Sequence, residues 1–161
     1  MKQLILLAIS LLAGLGSLPA QAATATGTFT VTINFSATCS VDTTGLAPVF
    51  TYTSGQAAAG FDTPQSFNVT CSNSTPYTLS LDAGGTGYTG SYTAGTGVGS
   101  YTDTVSTMAY TLTLASTSGT GNGNPQNVGL TGLIAANQFA AGGTGVYPYV
   151  ITNTHTITVT Y

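Results

Sequence analysis

Residues 24–35 read TATGTFTVTINF and are the most informative stretch of this chain. Threonine fills every even position from Thr24 to Thr32, and the odd positions hold Ala25, Gly27, Phe29, Val31, Ile33 and Phe35. A period of two predicts a β-strand with one apolar and one polar face. The segment contains no charge and no proline. It is therefore either the first strand of its own sheet or a detachable strand that completes a neighbouring molecule.

The residues before this segment are typical of a secretory signal peptide. Lys2 supplies the positive charge, an apolar stretch runs from Leu4 to Leu18, and Ala20-Gln21-Ala22 forms a small-residue cleavage site. The apolar stretch is too short and too rich in glycine for a membrane-spanning helix. We expect cleavage after Ala22 and export of a mature chain that begins at Ala23 and is long enough for one domain with a core.

Charged residues are almost absent from the chain. Lys2 is the only Lys or Arg, there is no Glu, and the acids are the four aspartates Asp42, Asp62, Asp82 and Asp103. Nucleic-acid binding and a basic membrane-surface patch both need clustered Lys and Arg, so the composition excludes them. A chain with so little charge tends to associate, which suits a protein whose normal state is an assembly.

Two cysteines, Cys39 and Cys71, follow the signal segment. In a secreted chain this predicts one structural disulfide. A zinc site would need more ligands, since His155 offers the only further side-chain nitrogen of the ligand type. A bridge between these two residues is worth roughly 3–4 kcal/mol in the chain-entropy model.

β-Branched and aromatic residues dominate the rest of the chain, and Gly, Asn and Pro break them into short segments without helical periodicity. This pattern predicts an antiparallel β-sandwich. The predicted strands are Thr24–Phe35, Thr38–Val41, Val49–Tyr52, Gln65–Cys71, Tyr77–Leu81, Ala109–Leu114, Leu130–Ile134 and Thr154–Tyr161. The Gly/Thr/Tyr-rich stretch 83–107 is either a long surface excursion or a pair of weak strands, and residues 116–127 are predicted to be a loop.

The residues available for catalysis are few. His155 is the only histidine and lies within the predicted last strand, where a half-buried or edge histidine explains it. The four aspartates stand singly, three of them beside threonine and Asp82 two residues before a glycine, positions at which Asp normally stabilises turns. Acid–base work would need two of them to meet in space. We therefore predict no catalytic, cofactor-binding or metal site.

Several segments, in order, resemble the spore coat U domain family. The C-terminal part, Leu130-Thr131-Gly132-Leu133-Ile134-Ala135-Ala136-Asn137-Gln138, is followed by Gly145-Val146-Tyr147 and ends in Thr156-Ile157-Thr158-Val159-Thr160-Tyr161. Earlier matching segments are Cys39-Ser40-Val41, Val69-Thr70-Cys71, residues 77–85 and Met108-Ala109-Tyr110-Thr111-Leu112. The chain departs from the family pattern at Ala135, where proline is usual, and after Tyr147, where an aspartate is usual.

The resemblance implies a subunit of archaic, Csu-type chaperone–usher pili. Such subunits are incomplete immunoglobulin-like antiparallel β-sandwiches, all-β, that lack one strand. A periplasmic chaperone lends a strand, the outer-membrane usher takes part in assembly, and the N-terminal segment of the next identical subunit then replaces the chaperone. An exposed sheet edge and an apolar groove both suit such an added strand.

The resulting prediction is a signal peptide over residues 1–22, a donor strand over 23–35 and a pilin domain over 36–161. The protein would be a homopolymer at the cell surface, supporting adhesion and biofilm formation, with Ile157, Val159 and Tyr161 on the strand beside the groove. The alternatives are a monomeric secreted module that binds a carbohydrate or a surface, with residues 24–35 in its own sheet, or the tip adhesin of the same pilus. A tip adhesin usually needs an additional receptor-binding domain.

Overall fold

The computed structural model describes residues 24–139 and 150–161. The predicted signal segment with its cleavage site, Ala23 and the Gly145-Val146-Tyr147 motif lie outside the described residues. Internal contacts divide the chain into two units, Met1–Asn34 and Phe35–Tyr161. The first unit is described only over residues 24–34, and all strands among the described residues belong to the second unit.

The described residues form eleven strands and no helix. The strands are β1 (Cys39–Asp42), β2 (Ala59–Gly60), β3 (Gln65–Cys71), β4 (Pro76–Leu81), β5 (Gly84–Gly85), β6 (Tyr88–Thr93), β7 (Val98–Asp103), β8 (Ala109–Leu114), β9 (Ser118–Thr120), β10 (Gln126–Ile134) and β11 (Ile157–Thr160).

The strands form two antiparallel sheets. The larger sheet has the order β1-β3-β10-β8-β7-β6-β5, and β2 pairs with β10 outside this path. The smaller sheet has the order β11-β4-β9. This all-β architecture is consistent with an immunoglobulin-like β-sandwich, as the alternating pattern predicts.

One apolar core joins the two sheets. Alternate residues of β4 point inward as Tyr77, Leu79 and Leu81, and all three are buried. They belong to the same buried cluster as inward-facing residues of the larger sheet: Phe67, Val69, Cys71, Tyr88, Tyr101, Leu112, Leu114, Val128 and Leu130. Burying such side chains supplies the main stabilisation of the sandwich, about 1.5–3 kcal/mol for each fully buried large apolar side chain.

Two alternating segments form strands where they were predicted. Gln65–Cys71 and Ala109–Leu114 match β3 and β8 at both ends. The last strand is shorter than predicted, because β11 begins only at Ile157. Residues 154–156 before it are not part of a strand.

The predicted strand Val49–Tyr52 is wrong, because these residues form no strand. Asp62 takes the place of a ladder partner: its backbone N–H donates to Val49 O at 2.8 Å, and its carboxylate accepts from the Thr51 amide and hydroxyl. Phe50 packs on Phe61 with ring centroids 4.7 Å apart. The apolar run therefore marks a loop that covers part of the core.

Two glycine-rich stretches contain more strand than their composition indicates. Residues 83–107 contain the β6–β7 hairpin, the second of the two alternatives, and β7 also pairs with β8. The predicted loop 116–127 is wrong in part, because Ser118–Thr120 pairs with β4 and β10 begins at Gln126. Gly119 permits this pairing, since the Tyr77 ring occupies the space that a side chain at Gly119 would fill.

Residues 24–38 join no strand. The alternative in which Thr24–Phe35 is a strand of its own sheet is therefore not observed. An isolated extended segment has no partner for its backbone N–H and C=O groups, so alternation alone does not make it a strand.

Candidate functional site

Two strand edges lie close together without pairing. β1 is the last strand at one end of the larger sheet, and β11 is the last strand at one end of the smaller sheet. Their Cα atoms come within 8 Å of each other, yet no backbone pairing joins them in the part of the chain that the structure describes. Each edge therefore presents one row of backbone donors and acceptors without a ladder partner.

The inward-facing side chains along these two edges are only half-buried. Cys39 and Val41 on β1, and Ile157 and Val159 on β11, pack against the core without being enclosed by it. By contrast, Val69 on β3 and Leu79 on β4, one strand further in, are 0% and 3% exposed. The core is thus less well covered at β1 and β11 than at the two strands next to them.

The predicted disulfide between Cys39 and Cys71 is confirmed. The two residues are directly opposite each other in the β1–β3 pair, and their Cα atoms are 4.1 Å apart. The start of β1 is also held by hydrogen bonds from the Thr38 amide to Ser72 Oγ at 3.1 Å and from the Ser72 amide to Thr38 O at 2.9 Å. The bridge therefore ties the short edge strand β1 to the interior of its sheet.

The predicted donor and groove residues are placed as follows. Phe29, Val31, Ile33 and Phe35 are 88%, 66%, 68% and 93% exposed, and Ala25 and Gly27 are exposed as well. Ile157 and Val159 face the core from β11, whereas Tyr161 lies beyond the end of that strand and is 58% exposed. The structure thus places two of the three predicted groove residues at an open edge.

His155 is the centre of a polar network. Its Nδ1 lies 3.0 Å from Asp82 Oδ1, and its Nε2 lies 2.7 Å from the Tyr110 hydroxyl. Asn153 Nδ2 donates to the same hydroxyl at 3.1 Å. The Thr156 amide donates to the other carboxylate oxygen of Asp82. These bonds join the chain just before β11 to the end of β4 and to β8.

Three tyrosine rings surround the imidazole of His155. The ring centroids of Tyr88, Tyr101 and Tyr110 lie 4.3, 4.4 and 5.7 Å from that of His155. Burial raises the pKa of Tyr88 to about 12, with the nearby Asp82 carboxylate adding to the effect. Burial likewise raises the pKa of Tyr110 to about 12 and moves that of Tyr101 still further upward.

The raised pKa values of these tyrosines predict that the protein loses stability at alkaline pH. A phenol that titrates near 10 when unfolded and near 12 when folded holds its proton more tightly in the native state. Raising the pH through this interval therefore removes protons from the unfolded chain first, and the free energy of unfolding falls. We expect the melting temperature to decline from about pH 10 upward, in step with tyrosinate absorbance. A flat profile up to pH 12 would contradict this.

Of the remaining aspartates, Asp42 and Asp103 stabilise local turns and Asp62 joins two loop segments. Asp103 Oδ1 accepts from the Ser106 amide and hydroxyl at 2.6 and 2.7 Å. Burial opposes ionisation of Asp103, but these hydrogen bonds outweigh it and lower the pKa. Hydrogen bonds from Thr44 lower the pKa of the exposed Asp42, and Asp62 binds Thr51 as described above. Asp42 and Asp103 therefore have the turn-stabilising role that their sequence context predicts, whereas Asp62 joins two chain segments eleven residues apart.

Sequence reasoning missed the partners of His155, which are 45 and 73 residues away along the chain. A signal was present, because His155 has the same parity as Ile157 and Val159 and therefore faces inward. A polar side chain on an inward face needs hydrogen-bonding partners. Among the described residues, no group of three His, Cys, Asp or Glu side chains is arranged to hold a metal ion.

Within the described ranges there is no helix with the length and hydropathy to cross a membrane. The family model of the Spore Coat Protein U domain matches residues 25–160. No curated protein and no solved structure gives a significant match to this chain.

Proposed function

Because the chain belongs to the Spore Coat Protein U domain family, we propose that it is a structural subunit of a secreted surface fibre that polymerises by donor-strand complementation. The family is associated with surface structures of the chaperone–usher pilus type and is not an enzyme family. In our proposal, residues 24–35 of one subunit pair with the open edges of the next.

The observation that carries the proposal is the row of half-buried side chains on β1 and β11. A strand added between the two edges would cover Val41, Ile157 and Val159 and would supply backbone partners to both rows of unpaired groups. Adding a strand at this position would join the two sheets along one side. Alternate side chains of the added strand would face the core and cover it on this side, as the inward-facing residues of the interior strands do elsewhere.

The N-terminal segment has the properties that such a strand needs. Its odd positions present Phe29, Val31 and Ile33, which are largely exposed in the single chain. Burying them would contribute about 1.5–3 kcal/mol each. Its even positions present threonine, whose β-branched side chain favours the extended conformation and whose hydroxyl tolerates solvent.

Insertion would also require a small movement of the accepting edges. Two strands that flank a third lie about 9.5 Å apart, twice the usual strand spacing. β1 and β11 approach within 8 Å, so they must separate locally when the new strand enters. β1 and β11 are each four residues long and lie at the ends of their sheets, so each is held by strand pairing on one side only, and the Cys39–Cys71 bridge keeps β1 attached to β3 during this movement.

Assembly in this proposal follows the route of chaperone–usher fibres. The signal peptide is removed after Ala22, a periplasmic chaperone covers the open edges, and an outer-membrane usher exchanges it for the donor segment of the next identical subunit. The product is a homopolymer at the cell surface that supports adhesion and biofilm formation. No cofactor takes part.

Substitutions on the two faces of the donor segment test the proposal. Val31→Asp or Ile33→Asp would force a charge into an apolar groove and should abolish fibre assembly. The matched variants Thr30→Asp and Thr32→Asp carry the same charge on the opposite face and should assemble nearly normally. The measurement is the yield of fibres by electron microscopy and of subunit ladders that resist denaturant. Equal effects on both faces would contradict a one-sided groove.

A further inference from the structure

The alternating pattern of the last segment does not by itself determine how β11 is aligned with β4. Residues 154–161 read THTITVTY, with threonine at every even position. A shift of β11 along β4 by one residue would turn the apolar side chains outward. A shift by two residues would keep threonine outside and apolar side chains inside. The alternating pattern therefore excludes a shift by one residue but does not exclude a shift by two residues.

The observed alignment is one of several with similar packing. Ile157 lies opposite Leu81 and Val159 opposite Leu79. A shift by two residues in one direction would bring Val159 opposite Leu81, and the reverse shift would bring Ile157 opposite Leu79. In the first shift Tyr161 would lie opposite Leu79, and in the reverse shift Val159 would lie opposite Tyr77 and His155 opposite Leu81. The apolar packing of Ile157 and Val159 alone therefore discriminates weakly among the three alignments.

His155 differs from every other residue of the segment, and it makes specific bonds. Both oxygens of Asp82 are engaged there, one by His155 Nδ1 at 3.0 Å and the other by the Thr156 amide. A two-residue shift moves the imidazole by about 6.7 Å along the strand. It would leave Asp82, His155 and the Tyr110 hydroxyl without these partners at sites that are largely buried.

In the neutral imidazole of His155, the hydrogen-bond partners determine which of the two ring nitrogens carries the hydrogen. Asp82, as a carboxylate, only accepts, so Nδ1 must carry the hydrogen. Nε2 then accepts from the Tyr110 hydroxyl at 2.7 Å, and that hydroxyl accepts from Asn153 Nδ2 at 3.1 Å. The chain of donation runs from Asn153 through Tyr110 and His155 to Asp82 without a conflict.

We propose that His155 is a positioning residue that fixes the alignment of β11 on β4. The pairing of its imidazole with Asp82 and Tyr110 selects the observed alignment over those shifted by two residues. The alignment itself belongs to the folded chain alone. Its consequence for strand exchange, namely which inward side chains an incoming strand meets, rests on the proposed function.

Pairs of engineered cysteines report the alignment directly. Ser80 and Thr158 are opposite each other on the outward face, so Ser80→Cys with Thr158→Cys traps the observed alignment. Ser80→Cys with Thr160→Cys traps one alignment shifted by two residues, and Thr78→Cys with Thr158→Cys traps the reverse shift. Each pair is placed in the full-length chain, oxidised, and mapped by peptide mass so that the Cys39–Cys71 bridge is distinguished.

With His155 present, we expect the Ser80–Thr158 pair to cross-link about tenfold more than either shifted pair. His155→Val keeps the β-propensity and the inward apolar face but removes the two bonds of the imidazole, while the Thr156 amide can still donate to Asp82 in the observed alignment. The preference for the observed pair should then fall severalfold. His155→Asn is the matched control, because its amide nitrogen lies about where Nδ1 lies and can still donate to Asp82. It should retain most of the preference.

A His155→Val chain that still cross-links only at the observed pair would overturn the proposal. A second measurement needs no substitution, in case that variant fails to fold. The ¹⁵N chemical shifts of neutral His155 in the full-length chain should show hydrogen on Nδ1, and a dominant Nε2–H form would overturn the proposal as well. Neither result depends on fibre formation, so failure of the alignment proposal and failure of the proposed function are distinguishable.

Discussion

A peptide with the sequence of residues 24–35 should raise the melting temperature of a chain that begins at Phe35 by roughly 10 °C at about 100 times its dissociation constant. Removal of the preceding residues leaves the whole second unit, with both open edges and all eleven strands. The peptide binds the native state through its apolar face and its backbone, and such binding stabilises that state by mass action. Differential scanning calorimetry over a series of peptide concentrations measures the effect.

The control is a peptide of the same composition in which the threonine and apolar positions are permuted. It keeps the hydrophobicity and β-propensity but loses the one-sided face, so it should leave the melting temperature within about 1–2 °C of the unliganded value. A truncated chain that is a stable monomer and is indifferent to both peptides would exclude strand complementation. It would favour the self-contained binding module.

The second large effect is expected from the disulfide. The bridge closes a sequence separation of 32 residues, and replacing both Cys39 and Cys71 by alanine should lower the free energy of unfolding by roughly 3–4 kcal/mol. Cys71 is also 1% exposed, so a small cavity adds to the loss. Urea denaturation followed by circular dichroism gives the difference as a shift of the midpoint.

The neighbouring pair Ser40 and Thr70 provides the matched control. These residues are opposite each other in the same two strands, one step along the ladder. Changing both to alanine should cost only about 0.5 kcal/mol, because neither makes a covalent link or fills the core. If the two double variants destabilise the chain equally, the bridge has no special role in holding β1.

Within the sandwich, the sequence predicted best the strands whose apolar and polar residues alternate clearly, whereas the alternation of residues 24–35 produced no strand in the single chain. β3 and β8 alternate between apolar and polar residues and were placed correctly at both ends. The β6–β7 hairpin was only one of two alternatives, because Gly90, Gly99 and Asp103 interrupt the apolar pattern of its inward face. Val49–Tyr52 looks like a strand by composition, but its backbone partners come from Asp62, a contact that no local pattern encodes.

The residues of the candidate site likewise include some that the sequence predicted and some that it did not. The cysteine pairing followed from count and compartment, and the inward parity of Ile157 and Val159 followed from alternation. The association of His155 with Asp82 and Tyr110 did not follow, because it depends on three elements that the sandwich topology brings together. Long-range polar contacts of this kind need the fold before they can be predicted.

The His155 network and the buried turn at Asp103 also determine the electrostatic character of the protein's surface. They withdraw Asp82 and Asp103 from the solvent, which leaves Asp42 and Asp62 as the exposed carboxylates among the described residues. Two isolated charges produce almost no long-range field at physiological ionic strength. Changes in salt concentration should therefore alter the contacts of this surface with other materials very little. Contact with other materials would depend on short-range van der Waals forces and on hydrogen bonds from its many threonine and serine hydroxyls.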